Sequence, residues 1–297
     1  MVRSSIDRLV RIVLAAVVAT SAVLALSMTP ASAIVPIVAP LVGIGSLSAG
    51  GSHTCAVITT QTMGDCWGAN TSGQLGDFNT DDSEIPAMVS ELGGAVVISA
   101  GGSHTCALLD NKTVKCWGKN SSGQLGVGNT TNTTFPLIKV SGISTATAIA
   151  TGANHSCARL SDKTVKCWGD NSSGQLGDNT LTSSTTPVTV SGLSNVAAIA
   201  AGANHTCARL ADRTVKCWGA NGSGQLGNNT TTAAKTPVTV SGISTATAIT
   251  AGGGHTCALL TGAIAKCWGN NTRGQLGIGS LTGTKKPTDP VSNSMPF

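Results

Sequence analysis

The chain has 297 residues, a net charge of +5 and only 10% charged residues. That charge share is well below the average for a globular domain, and so mild and scattered a positive balance gives no argument for a nucleic-acid surface. The 37 Gly, with abundant Thr, Ser and Asn, five Trp, three Phe and no Tyr, point to an all-β, turn-rich protein.

The N-terminus reads as a processing segment. Arg3, Arg8 and Arg11 precede an apolar run from Ile12 to Leu26, and the small residues Ala31-Ser32-Ala33 follow. A basic start, an apolar run and a small-x-small site describe a secretory signal peptide, so residues 1–33 are expected to be removed. The run is shorter than a spanning helix needs, so no membrane span is expected after cleavage. The remaining chain, 34–297, is expected to be a single repeat domain outside the cytoplasm, secreted or in the cell envelope. There, the 10 Cys would be oxidised and fully paired.

Internal repeats dominate that domain. His53, His104, His155, His205 and His255 are spaced by 51, 51, 50 and 50 residues. Each unit reads G-x-x-H-[TS]-C-A, a variable hairpin, C-W-G-x-N-x-x-G-Q-L-G, a polar segment with Pro, and a stretch such as VTVSGLSNVAAIAAG. HTCALL and TVKCWG flank the polar turn Asp110-Asn111-Lys112; VTV and AAIAA read as two further short strands. Four short strands per unit of roughly 50 residues is the pattern of a β-propeller blade, with a solenoid as the alternative.

The cysteines support the hairpin. Cys106 and Cys116 centre on Asn111, Cys157 and Cys167 on Asp162, Cys207 and Cys217 on Asp212, and Cys257 and Cys267 on Gly262. Each midpoint falls on the turn, so the partners face each other across two strands, within disulfide reach. Cys55 and Cys66 have one extra residue between them, for which a bulge is expected. The last unit lacks a convincing AAIAAG strand, and Pro36–Gly50 resembles one. An N-terminal strand closing the last blade is therefore expected.

G-x-x-H-x-x-A, W-G-x-N and G-Q-L-G at this period resemble the regulator of chromosome condensation (RCC1-like) repeats, over about residues 48–290. The resemblance implies a β-propeller of four-stranded blades. Its members usually have seven blades, whereas five units are present here, and paired cysteines are not general in the family. The family's nucleotide-exchange activity on a nuclear small GTPase is not expected of an exported chain.

The repeated His, Cys and Trp are expected to be scaffold. Five identical zinc sites or five identical catalytic dyads would be unusual, and each Cys has an obvious oxidised partner. Each His is expected to bridge backbone groups between blades, and each Trp to pack there. No catalytic residue, metal or cofactor is expected. Function should lie where the repeats differ: Asp77, Phe78, Asp81, Asp82 and Glu84 in the first unit, Phe135 in the second, Lys235 in the fourth, and Lys285 and Lys286 in the fifth. These residues form the candidate binding rim of a non-catalytic module. Its expected partner is an extracellular or envelope protein or glycan. The alternatives are an inhibitor of an extracellular enzyme and a structural, carbohydrate-contacting envelope protein.

Overall fold

The computed structural model describes residues 41–60 and 62–291; the expected signal segment lies outside them. The described residues form five four-stranded antiparallel sheets. The first contains β1 (Ile44–Ala49), β2 (His53–Ile58), β3 (Met63–Gly68) and β4 (Ser83–Met88). The second contains β5 (Ala95–Ala100), β6 (His104–Leu109), β7 (Val114–Gly118) and β8 (Thr133–Lys139). The third is β9 (Ala146–Thr151), β10 (His155–Leu160), β11 (Val165–Gly169) and β12 (Ser184–Thr189). The fourth is β13 (Val196–Ala201), β14 (His205–Leu210), β15 (Val215–Gly219) and β16 (Ala234–Thr239). The fifth is β17 (Ala246–Ala251), β18 (His255–Leu260), β19 (Ala265–Gly269) and β20 (Thr284–Thr288).

Each blade is a meander, and its first strand is the AAIAA-type segment preceding the histidine. The N-terminal strand expected to serve the last blade is β1, which pairs with β2 in the first blade (Ala49 opposite Thr54). The last blade takes its first strand, β17, from the end of the fourth unit and the other three from the fifth.

In the second blade both faces of the second strand are buried. In β6, His104, Cys106 and Leu108 alternate with Thr105, Ala107 and Leu109, and all six are inaccessible. A strand covered on both sides carries a near-continuous apolar run instead of a polar–apolar alternation. The odd-numbered set packs on the preceding blade and the even-numbered set on the following one. Between the first two blades, Cys55, Val57, Leu75, Val89 and Leu92 meet Ala95, Ile98, Ala107, Leu109 and Trp117. The same arrangement recurs at the next three interfaces, around Trp168, Trp218 and Trp268.

The five expected disulfides are present, with Cα–Cα distances of 4.0–4.1 Å. Cys106 lies directly opposite Cys116, and the same holds in the other blades. The bulge expected between Cys55 and Cys66 is not there. β2 and β3 pair in regular register from His53–Gly68 to Ile58–Met63, so the turn absorbs the extra residue. The hairpin turns of the second, third and fourth blades are held by their own side chains. Asp162 Oδ1 accepts from the Thr164 amide (2.9 Å) and hydroxyl (2.7 Å), which holds its carboxyl below the usual range.

Candidate binding surface

The fixed Asn of W-G-x-N shapes the polar loop between the third and fourth strands of each blade. Asn171 is fully buried. Its Oδ1 accepts from the Leu176 amide at 3.0 Å, and its Nδ2 donates to the carbonyls of Thr180 (3.2 Å) and Thr182 (3.1 Å). Asn120, Asn221 and Asn271 make the same bonds to Leu125, Leu226 and Leu276 and to their own loops. One amide thus satisfies backbone groups that a tight loop would otherwise strand.

The loops of the second, third and fourth blades also rest on the next blade. The Gly128 amide donates to Thr185 O, Asn179 to Lys235 O and Asn229 to Lys285 O, all at 2.9–3.0 Å. The bases of these three loops are thereby fixed, while their tips differ from repeat to repeat. Asn171→Ala should leave the Leu176 amide and two carbonyls unpaired, a cost of about 1–3 kcal/mol. The expected result is a thermal midpoint several degrees lower and faster exchange at the Leu176 amide, measured by calorimetry and hydrogen exchange.

The candidate residues separate on this frame. Asp77 and Asp82 belong partly to the clamp: Asp77 Oδ1 accepts from Asn70 Nδ2 (3.0 Å) and Asp82 Oδ1 from the Asn70 amide (2.8 Å). Asp81, Glu84 and Phe78 are exposed, Phe78 at a positive φ of 74°. Phe135 lies in β8. The side chains of Lys235, Lys285 and Lys286 are exposed, while the Lys235 and Lys285 carbonyls take the loop bonds of the preceding blades. Gly73, in the turn before the acidic loop of the first blade, packs closely against Thr134 of the second. Among the described residues the ion pair found is Lys266–Asp289 at 3.3 Å, not one between the acidic loop and the Lys pair.

Four of the five histidines bridge neighbouring blades. His104 Nε2 is 2.9 Å from Ser156 Oγ of the next blade, and Ser156 Oγ donates to Gln124 O at 2.9 Å. The same relay runs from His53 through Thr105 to Gln74 O, from His155 through Thr206 to Gln175 O, and from His205 through Thr256 to Gln225 O. A hydroxyl has one proton, and here it goes to the carbonyl. The imidazole must therefore donate from Nε2, leaving Nδ1 as a bare acceptor. In these four histidines Nδ1 is buried without a partner.

Burial accordingly lowers the affinity of these rings for a second proton. His53 and His155 fall to about 4, and His104 and His205 to about 3, where neighbouring histidines add to the effect. The bridge between blades runs from each ring through a side-chain hydroxyl to a backbone carbonyl. The Trp indoles share its acceptor: Trp117 Nε1 donates to Gln74 O, and Trp168 Nε1 to Gln124 O, both at 2.9 Å. The second Gly of G-Q-L-G leaves room for this, since a Cβ on Gly76 would lie 2.7 Å from Trp117 Nε1. Sequence reasoning missed the Asn clamp and the Gln carbonyl, although both residues are invariant across the five units.

The RCC1-like domain family model matches residues 22–296. The "Ultraviolet-B receptor UVR8" of Arabidopsis thaliana is 30% identical over 136 residues, 44% of this chain and 30% of that protein. The "Protein RCC2 homolog" of Danio rerio is 42% identical over 60 residues, 20% of this chain and 12% of that protein. Human WBSCR16 superposes with a TM-score of 0.74 at 24% identity, covering 83% of this chain and 66% of the other. Prp20p from Saccharomyces cerevisiae, a structure reported with its binding properties to Gsp1p and histones, gives 0.74 at 22% identity, covering 83% and 63%. The chain thus spans under two thirds of each of these relatives' lengths, and at these identities the structural likeness establishes fold alone.

Proposed function

We propose a function from one premise: the chain belongs to the RCC1-like domain family. It acts as a non-catalytic binding module whose ligand contacts come from the variable rim loops. The supporting observation is the division of labour in each loop. The buried Asn holds the base, braced by the next blade in the second to fourth loops, while Phe78, Asp81 and Glu84 in the first loop, and Lys235, Lys285 and Lys286 further along, are exposed and differ from repeat to repeat. A rigid base limits the ordering cost of binding, and varied tips supply specificity.

The setting is extracellular or in the cell envelope. A basic, then apolar, then small-residue start supports this, as do five disulfides. Among the described residues no helix is long and apolar enough to cross a membrane. Exposed acidic and basic tips fit an extracellular protein or glycan as ligand. Nucleotide exchange on a nuclear GTPase does not fit an exported chain.

The test is a capture experiment from culture medium and cell-envelope extract. The control replaces residues 77–84 and 127–135 with the third-blade loop. A specific partner retained by the native chain and lost by the control is expected. Equal capture by both, or none by either, would reject the rim as the binding surface.

A further inference from the structure

Five blades in series make four interfaces, and each uses the same parts. A forward face offers His Nε2, the Gln carbonyl and the side chain four residues after the His, apolar in the first, second and fifth blades. The next blade's back face offers a Thr or Ser hydroxyl, a Trp indole and an apolar first strand. One forward face and one back face are left over, on the last and first blades.

Both are exposed where their counterparts are buried. On the last blade Leu259 is 43% exposed, whereas Val57 and Leu108 at the same position are 1% and 4% exposed. A shallow depression of about 180 Å³ lies there, lined in part by Ile249, Cys257, Leu259 and Ala265. On the first blade Ile44 is 42% and Leu47 62% exposed, whereas their counterparts Ala95 and Ile98 are each 2%. The polar partners follow suit. His255, Gln275, Thr54 and Trp67 are half-buried, while His104, Gln124, Thr105 and Trp117 are fully buried. Among the described residues, the side-chain bonds of Gln275 stay within its own blade, to Asn270 and Arg273.

The two faces also match in kind. The third and fourth blades carry Arg159 and Arg209 at the Leu259 position, and Arg159 Nε reaches Val196 O at 2.6 Å. The last blade returns to the apolar choice of the first two, whose forward faces meet an apolar first strand. Leu47 supplies that strand on the first blade.

We propose that the outer face of the last blade is a docking surface for the first blade of a second copy of this chain, giving head-to-tail assembly. The occupant follows from the four interfaces already made, because the only surface shown to fit this forward face is the back face of another such blade. Among the described residues, Leu259 on the one face and Ile44 and Leu47 on the other are exposed. A heterologous contact of this kind forms a closed ring or an open series according to its rotation.

The test uses the full chain and two variants at exposed positions, Leu259→Glu and Leu47→Glu, with folding checked by circular dichroism. Sedimentation velocity at low and high micromolar concentration should show the native chain growing beyond one chain with concentration. Each variant alone should stay at the mass of a single chain. Mixed, they should form a two-chain species and nothing larger, because each keeps the one face the other needs. A native chain that stays single at high concentration, or folded variants that fail to pair when mixed, would overturn the proposal. Closure within one chain would give that first outcome.

Discussion

Acidification from pH 7.5 to 4.5 should lower the thermal midpoint steeply, with nearly all of the loss below pH 6.5. In the folded protein, burial holds His53 and His155 at about 4 and His104 and His205 at about 3. In the unfolded chain each would titrate near 6.5. Above that pH both states are neutral and the full stability is present. Below it the unfolded chain takes up protons that the native blades refuse, so stability falls with pH until the native values are reached.

The slope is at most about 1.4 kcal/mol per pH unit for each histidine, or roughly 5 kcal/mol per unit for four acting together. Total domain stability is about 5–15 kcal/mol, so unfolding should come within a few pH units. The hairpin carboxyls Asp162 and Asp212, held low by their Thr bonds, lose their contribution only in a lower window as pH falls through their native values. His155→Gln should flatten the slope by about a quarter. A midpoint unchanged between pH 7.5 and 4.5 would show that the relays are not buried as described.

Reduction of the five disulfides should be the second large effect. Each closes a sequence separation of 10 or 11 residues, worth about 2–3 kcal/mol in the chain-entropy account. Together that is comparable to the whole stability of a domain. A fully reduced chain should therefore lose cooperative unfolding at ordinary temperature.

The order of reduction should also be uneven. Cys106, Cys116, Cys157, Cys167, Cys207 and Cys217 are at most 1% exposed, so a reductant must wait for blades to part. In the last blade Cys267 is 7% exposed and Cys257 half-buried. Timed alkylation and mass spectrometry should find the Cys257–Cys267 pair labelled first. Simultaneous labelling of all five would mean that the blades open as one unit.

Much of this architecture is legible in the chain itself, because its information is local. The hairpin register follows from where the midpoint of each Cys pair falls, and strand pairing turns that spacing into contact. The four-strand blade, the five disulfides and the interblade place of Trp117 and its counterparts all follow from repetition in frame. The Cys55 hairpin shows the limit of counting: one extra residue predicts either a bulge or a longer turn, and only strand register distinguishes them. The Asn clamp and the Gln carbonyl were harder to see, since a backbone acceptor has no sequence signature and an invariant Asn reads as an ordinary turn residue.

By itself, then, the sequence determined the repeat, its strands, its disulfides and the variability of its loop tips, all products of interactions within about 50 residues. Only the tertiary structure decided which blade owns the N-terminal strand, that every histidine relay crosses to the next blade, and that the outer faces of the first and last blades stay exposed. Those depend on how successive blades are placed against one another, a long-range sum of packing that no single repeat encodes.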